Sequence, residues 1–157
     1  MCTAACTPSL NWREVAVGPM TAMLPCKPDR AQRNTTLAGQ ALTLEMAGCE
    51  AGGALFAVSH VQVPGPEQAA SVVNAWRAAT LANMGAADTA TAQEPSNVAP
   101  RAGFAPVRAT GRRPDGARVQ AELAWVTAGS HVFHIAVYAD KLTADMADTL
   151  FAQARLP

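Results

Sequence analysis

The sequence predicts an α+β domain in which a mainly antiparallel β-sheet is covered by two amphipathic helices. Several short segments alternate apolar and polar residues, as strands with one buried face do. Short turns containing glycine join consecutive segments, and such turns favour antiparallel neighbours. Two longer segments carry apolar residues at helical spacing, and a helix of this kind buries its apolar stripe against another element.

The first two predicted strands are short and lie close together. Residues 11–17 alternate, and Gly18 with the proline after it breaks the pattern. A second strand follows at Met20–Leu24, and the prolines at positions 25 and 28 end it because proline cannot take part in a central ladder.

Two further strands precede the first helix. After a polar connection we expect a strand at residues 38–47, closed by a turn at residues 48–53. Residues 54–63 are largely apolar at both alternating sets of positions. This composition predicts a central strand covered on both faces.

The first helix is predicted between Pro66 and Gly85. Proline suits the first helical turn and glycine suits a helix end. Its apolar stripe consists of Ala69, Val72, Val73, Trp76, Thr80 and Met84. Residues 86–100 have no clear period, so we expect a long connection there, with a short edge strand at residues 89–93.

The last part of the chain predicts three strands and a helix. Residues 104–113 and 117–127 flank an Asp-Gly pair, which is a strong hairpin signal. His131–Ala139 is the next strand. Thr143 is expected to cap a final helix, whose apolar face holds Met146, Ala147, Leu150, Phe151 and Ala154.

Length and charge limit the function classes. A chain of 157 residues fits one domain, which we place at residues 11–157 after a disordered tail at residues 1–10. Lys and Arg together equal Asp and Glu at 12 each, so the excess of basic charge that nucleic-acid binding needs is missing. No apolar run reaches the length of a transmembrane helix.

Cys26 and Cys49 each follow a predicted strand. If those strands are neighbours, the two thiols come within bridging distance. The alternatives are two buried thiols in a cytosolic protein or a metal site, but CxxC spacing is absent. We favour a Cys26–Cys49 disulfide, which implies an oxidising compartment.

The segment around Cys6 is similar to the end of a bacterial lipoprotein signal, in which small residues precede a lipidated cysteine. Thr3 departs from that pattern, which prefers leucine there. The interpretation places the protein on the periplasmic side of a bacterial membrane, held to it only by a lipid on Cys6.

The order of elements resembles the PsbP-like α/β/α sandwich family. The likeness spans roughly residues 11–157 and rests on the segments at residues 12–15 and 23–25, the 54–63 strand leading into a helix, and the late hairpin. It is closest to small exported proteobacterial lipoproteins of that family, in which a disulfide between Cys26 and Cys49 would fit. The family has several functions, so the resemblance implies architecture more than activity.

Three histidines are candidate metal ligands or catalytic groups: His60, His131 and His134. Because side chains alternate along a strand, His131 and His134 should lie on opposite faces, while His60 can approach either one. A metal-binding or hydrolytic protein that uses all three is our alternative to a binding protein. We expect no enzyme and no cofactor, because no P-loop, GxSxG, GxGxxG or HExxH motif is present.

Four arginines, Arg108, Arg112, Arg113 and Arg118, lie in or beside the predicted hairpin. They predict a cationic patch for a small anionic ligand or an acidic envelope protein, although a solvated hairpin face is the simpler alternative. The sequence as a whole therefore predicts a non-catalytic, envelope-anchored binding or accessory lipoprotein.

Overall fold

The computed structural model describes residues 11–86 and 106–157, and these form a small α+β fold with a mainly antiparallel sheet. The class predicted from the sequence is confirmed at this level. The strands are β1 (Arg13–Val17), β2 (Met20–Leu24), β3 (Asp29–Leu37), β4 (Gln40–Ala51), β5 (Ala54–Gln62), β6 (Val107–Arg112), β7 (Arg118–Ala128) and β8 (His131–Ala139). The helices are α1 (Ala69–Asn83), preceded by a 3-10 turn at Pro66–Gln68, and α2 (Ala144–Gln153).

Among the described residues, six strands form one sheet in the order β3-β4-β5-β8-β7-β6, and β1 pairs with β2 in a separate hairpin. Every pairing is antiparallel. The predicted central position of β5 is confirmed, because it lies between β4 and β8. Short turns connect the neighbours β3-β4, β4-β5, β6-β7 and β7-β8, as hairpin geometry requires.

One face of the sheet packs against the β1–β2 hairpin and α2. Phe56 and Phe133 lie at the centre of this apolar cluster, and both are fully buried. Leu150 and Phe151 join it from α2. Backbone hydrogen bonds in both directions between Thr21 and Arg155 tie the hairpin to the residues after α2. We call this the closed face.

The other face packs against α1. Val72 and Trp76 from the helix contact a cluster that includes Leu44 and Val61 of the sheet. A second cluster joins Leu81 and Met84 to residues of β6, β7 and β8. The predicted helical stripe is thus the side of α1 that meets the sheet, and Gly85, with a φ of +64°, follows its end.

One strand lies where we expected a connection. Asp29–Leu37 forms β3, pairs with β4 over its whole length, and exposes nearly all its side chains at the edge of the sheet. The prediction was wrong because the segment has no buried alternation. Its charged side chains are typical of edge strands, which they protect from pairing with other chains. The strand predicted at 38–47 also continues to Ala51, so the turn occupies only the last two positions of residues 48–53.

The predicted disulfide is present between Cys26 and Cys49, with the Cα atoms 6.0 Å apart. Cys26 follows β2 and Cys49 lies on β4, in the apolar cluster of the closed face. The bond therefore links the hairpin covalently to the sheet that it covers.

Some predictions concern residues outside those described. The tail at residues 1–10, lipidation of Cys6, the edge strand at residues 89–93 and most of the connection at residues 86–100 stay predictions. Thr143 occupies the position before α2 as expected, but its side chain makes no capping hydrogen bond. None of the described helices has the length and apolarity that crossing a membrane requires.

Candidate functional site

A cleft of about 870 Å³ lies between α1 and the sheet. Strands β3, β4, β5 and β8 form its floor, the C-terminal half of α1 forms one wall, and the β6–β7 turn borders its mouth. Apolar side chains on the cleft include Leu37, Leu44, Met46 and Trp76.

Small side chains at the middle of the floor create this hollow. Ala57 on β5 stands directly opposite Ala136 on β8, and both line the cleft. On the helix side, Ala79 and Thr80 also line the cleft. Two neighbouring alanines leave a gap that larger residues would fill, since protein interiors are otherwise closely packed.

His134 lies on the floor of the cleft, where aromatic rings enclose it. Its ring stacks on Trp125 at 4.3 Å and meets the edge of Trp76 at 5.4 Å. Burial lowers the pKa of His134 to about 4, so the ring is neutral at pH 7. Its Nδ1 lies 3.0 Å from the carbonyl oxygen of Ala124, which can only accept, so Nδ1 carries the proton and Nε2 offers a lone pair.

Two other polar groups of the floor, Tyr138 and Ser59, are also uncharged. Burial raises the pKa of Tyr138 to about 12, so its hydroxyl keeps the proton. Ser59 is buried and stands opposite His134 across the β5–β8 pair, yet no hydrogen bond joins these two described residues. Around His134 the floor therefore combines apolar surface with a few neutral donors and acceptors.

Charged groups line the cleft in two places. Arg112, Arg113, Glu50 and Asp140 lie toward one end of the strands, whereas Arg33 stands opposite Leu44 toward the other end. The Arg113 guanidinium lies 3.1 Å from the Asp140 carboxylate, and both side chains are largely exposed. An exposed pair of this kind contributes little and exchanges partners readily.

The structure divides the predicted arginine patch. Arg112 and Arg113 reach the cleft, and Arg112 also donates to the backbone oxygen of Gly116 at 3.1 Å. Arg108 stands opposite Glu122 on β7, with Nε 3.5 Å from a carboxylate oxygen of that buried residue. Arg118 stands opposite Arg112 in the hairpin and does not line the cleft.

The predicted split of the histidines is confirmed. His60 and His131 lie on the closed face beside Phe133, with Nε2 of His60 2.9 Å from Nδ1 of His131. His134 lies on the cleft face. The three rings therefore do not form one ligand set, and residues 11–86 and 106–157 contain no cluster of three His, Cys, Asp or Glu side chains able to hold a metal ion.

The pair of histidines on the closed face supports the turn of the β1–β2 hairpin. Gly18 has a φ of +55°, and a Cβ there would lie within 2.7 Å of the His60 ring. The Gly18 N–H donates to the Glu45 carboxylate at 2.5 Å. Burial, and secondarily the neighbouring His131, lowers the pKa of His60, while Glu45 opposes that shift. These contacts pack the hairpin onto the sheet.

The cleft itself was missed by sequence reasoning. Ala57 and Ala136 are far apart in the chain, and only the β5–β8 register brings them together. The one usable signal was the string of small residues on predicted inward positions, which is ordinary in a chain so rich in alanine.

Comparison with known proteins identifies no family. No protein-family model matches the sequence, and no curated protein matches it. Among solved structures, a crystal structure of a Bacteroides thetaiotaomicron VPI-5482 protein at 1.50 Å is similar, with 13% sequence identity and a TM-score of 0.47. The similarity covers 91% of this chain and 47% of that one, so the chain spans about half the length of that protein.

Proposed function

We propose that this protein is a non-catalytic binding protein that holds a small ligand in the cleft between α1 and the sheet. The observation that carries the proposal is the cleft: about 870 Å³ lies within the size range of small-molecule sites. Such sites are mainly apolar with a few placed polar groups, which describes this floor.

The state of His134 supports binding over catalysis. A general base works best with a pKa near the working pH, and a ring with a pKa of about 4 is a weak base at pH 7. A backbone carbonyl orients it rather than a carboxylate. The alternative of a hydrolytic or metal-binding protein with His60, His131 and His134 has less support, because the sheet separates them.

We further propose that the protein belongs to the bacterial envelope and is anchored there through a lipid on Cys6. The Cys26–Cys49 disulfide supports an oxidising compartment, and the small residues before Cys6 support lipidation. We also propose a PsbP-like α/β/α arrangement in which α1 and α2 cover opposite faces of the sheet. This proposal is supported by the apolar clusters, because residues of α2 belong to the cluster on one face of the sheet and residues of α1 belong to the cluster on the other. Labelling of cells with a radioactive fatty acid tests the anchor, since Cys6→Ser should abolish incorporation.

Native mass spectrometry of the full protein, purified from envelope extracts of its own host, tests the binding function. We expect a bound small molecule that is lost from the variant Ala57→Phe, whose ring fills the floor of the cleft. The matched variant Ala41→Phe places the same ring at an exposed position of β4 outside the cleft and should keep the ligand.

Two results would overturn the proposal. Retention of the ligand by folded Ala57→Phe would place binding elsewhere. Ester hydrolysis by the wild-type protein that Ser59→Ala abolishes would make the cleft an active site.

A further inference from the structure

The rings of His60 and His131 meet end to end. Their centres lie 5.1 Å apart, and Nε2 of His60 lies 2.9 Å from Nδ1 of His131. The difference is close to twice the distance from an imidazole centre to its nitrogen, so both nitrogens lie near the line that joins the ring centres. An N–H of one ring therefore points at the lone pair of the other, and the two rings share that proton.

This bond limits how many protons the pair can hold. The uncharged pair can take one more proton and keep its N–H between the rings, because the added proton goes to a nitrogen that points away from the bond. A second added proton places N–H groups on both facing nitrogens of two charged rings, which repel each other. The rings must separate to accept it, so they titrate as one coupled unit.

The turn of the β1–β2 hairpin rests on the same rings. Gly18 has a φ of +55°, and its backbone lies against the His60 ring with no side chain between them. The Gly18 N–H donates to the Glu45 carboxylate at 2.5 Å, and Glu45 stands opposite His60 on β4. On the other side of His60, β8 presents His131 and the apolar Phe133. One carboxylate therefore holds the turn and lies beside the histidine that the turn covers.

Charged contacts elsewhere also hold the hairpin. Arg30 on β3 donates to the carbonyl oxygen of Ala16 at 2.8 Å, and Glu14 forms an exposed ion pair with Arg155. Neither contact contains a histidine. The hairpin therefore stays attached through them and through its disulfide when the histidine pair is protonated.

Acid acts on the turn itself. A His60 ring that has separated from His131 carries a full positive charge beside Glu45, and an ion pair with that carboxylate competes with the Gly18 N–H. Burial, and secondarily His131, lowers the pKa of His60, so this step needs a lower pH than an isolated histidine does. Since the closed turn binds fewer protons than the open turn, a fall in pH favours opening.

We propose that the His60–His131 pair is an acid-sensitive latch, which holds the turn of the β1–β2 hairpin on the sheet at neutral pH and releases it when the pair takes up a second added proton. The change is local, because the remaining contacts and the disulfide keep the rest of the hairpin in place. The latch lies on the closed face and does not depend on the function proposed for the cleft.

Hydrogen exchange of the isotope-labelled full-length protein tests the latch, because the Gly18 amide reports on the turn directly. Protection is taken relative to the intrinsic exchange rate at each pH. From about pH 8 to about pH 4.5, the range in which histidines titrate, Gly18 protection should fall roughly tenfold or more, as loss of a hydrogen bond to a charged group implies. The amide of Phe56, in the centre of the sheet, should keep its protection.

Variants separate the parts of the latch. His60→Phe keeps a ring under Gly18 and should remove the transition. Glu45→Gln should also remove it, because the amide oxygen still accepts from the Gly18 N–H but does not attract a charged ring. His131→Phe should move the transition to higher pH, since His60 then takes up its proton without a shared bond. The matched control His134→Phe changes a histidine of the cleft face and should leave the transition unchanged.

Several results would overturn the latch. They are constant Gly18 protection over this pH range, a transition that persists in folded His60→Phe, and equal loss of protection at Gly18 and Phe56, which would indicate global unfolding. If His60→Phe does not fold, the ring of His60 in the wild type is titrated by NMR instead. Its lower midpoint should coincide with that of the Gly18 amide, and separate midpoints would equally overturn the proposal.

Discussion

The two faces of one sheet differ in how completely they are filled. On the closed face a hairpin, a helix and a disulfide meet large side chains such as Phe56 and Phe133. On the cleft face α1 crosses a floor whose middle is Ala57 and Ala136, and space remains. The backbone pairing is the same for both faces, so side-chain size decides which face is sealed and which can take a ligand.

Neighbouring residues of β5 show the contrast most directly. Phe56 is 1% exposed on the closed face, whereas Leu55 is 38% exposed at the border of the cleft. Successive side chains of a strand point to opposite faces. One strand therefore contributes to stability with one set of residues and to the candidate site with the other.

The largest expected effect comes from truncation on the closed face. Phe56→Ala should lower the free energy of unfolding by about 3–5 kcal/mol, because it removes a buried ring and leaves a cavity. Leu55→Ala, one residue away, should lower the free energy of unfolding by at most about 0.5–1 kcal/mol. Urea denaturation measures both, and equal losses would contradict the division of the sheet into a filled and an open face.

The second largest expected effect comes from removal of the disulfide. Replacing both Cys26 and Cys49 with alanine should cost roughly 3 kcal/mol, since the bond closes a loop with a sequence separation of 23. The variant should still bind the cleft ligand with wild-type affinity under conditions in which it is folded. Parallel loss of stability and affinity would show that the hairpin is coupled to the cleft and that the faces are not independent.

The sequence predicts best those elements whose residues carry their own pattern. Met20–Leu24 and His131–Ala139 alternate or pack on both sides, and their predicted bounds agree with the structure. Asp29–Leu37 has no such pattern, because backbone pairing with β4 holds it at the edge and its side chains face water. Its strand identity is set by its partner rather than by its own residues.

The same distinction applies to the sites. The Cys26–Cys49 bond was predicted from two predicted strand ends, and it forms although Cys49 lies within β4 and β2 packs over the sheet instead of pairing with β4. The separation of His131 from His134 followed from alternation. The cleft depends on which alanine of β5 stands opposite which alanine of β8. The register between two distant strands cannot be predicted from either segment alone. The cleft could therefore be recognised only from the folded chain.

The smallest expected effect compares the histidines of the two faces by pH. Burial lowers the pKa of His134 to about 4, below its ordinary value near 6.5. The unfolded chain therefore takes up this proton first as the pH falls, and stability that is complete above pH 6.5 is lost progressively toward pH 4. Between pH 6.5 and 5.5 the loss from this residue should be about 1 kcal/mol.

Urea denaturation at several pH values measures how much the histidines of each face contribute to the pH dependence of unfolding. His134→Phe keeps a ring against Trp125 and should flatten the pH dependence of unfolding between pH 6.5 and 5.5. His60→Phe, on the closed face, removes a half-buried ring whose pKa is lowered in the same direction, so it should flatten the curve less. If His60→Phe flattens it more, the closed face carries the stronger desolvation, and the neutral state of the His134 ring in the cleft loses its support.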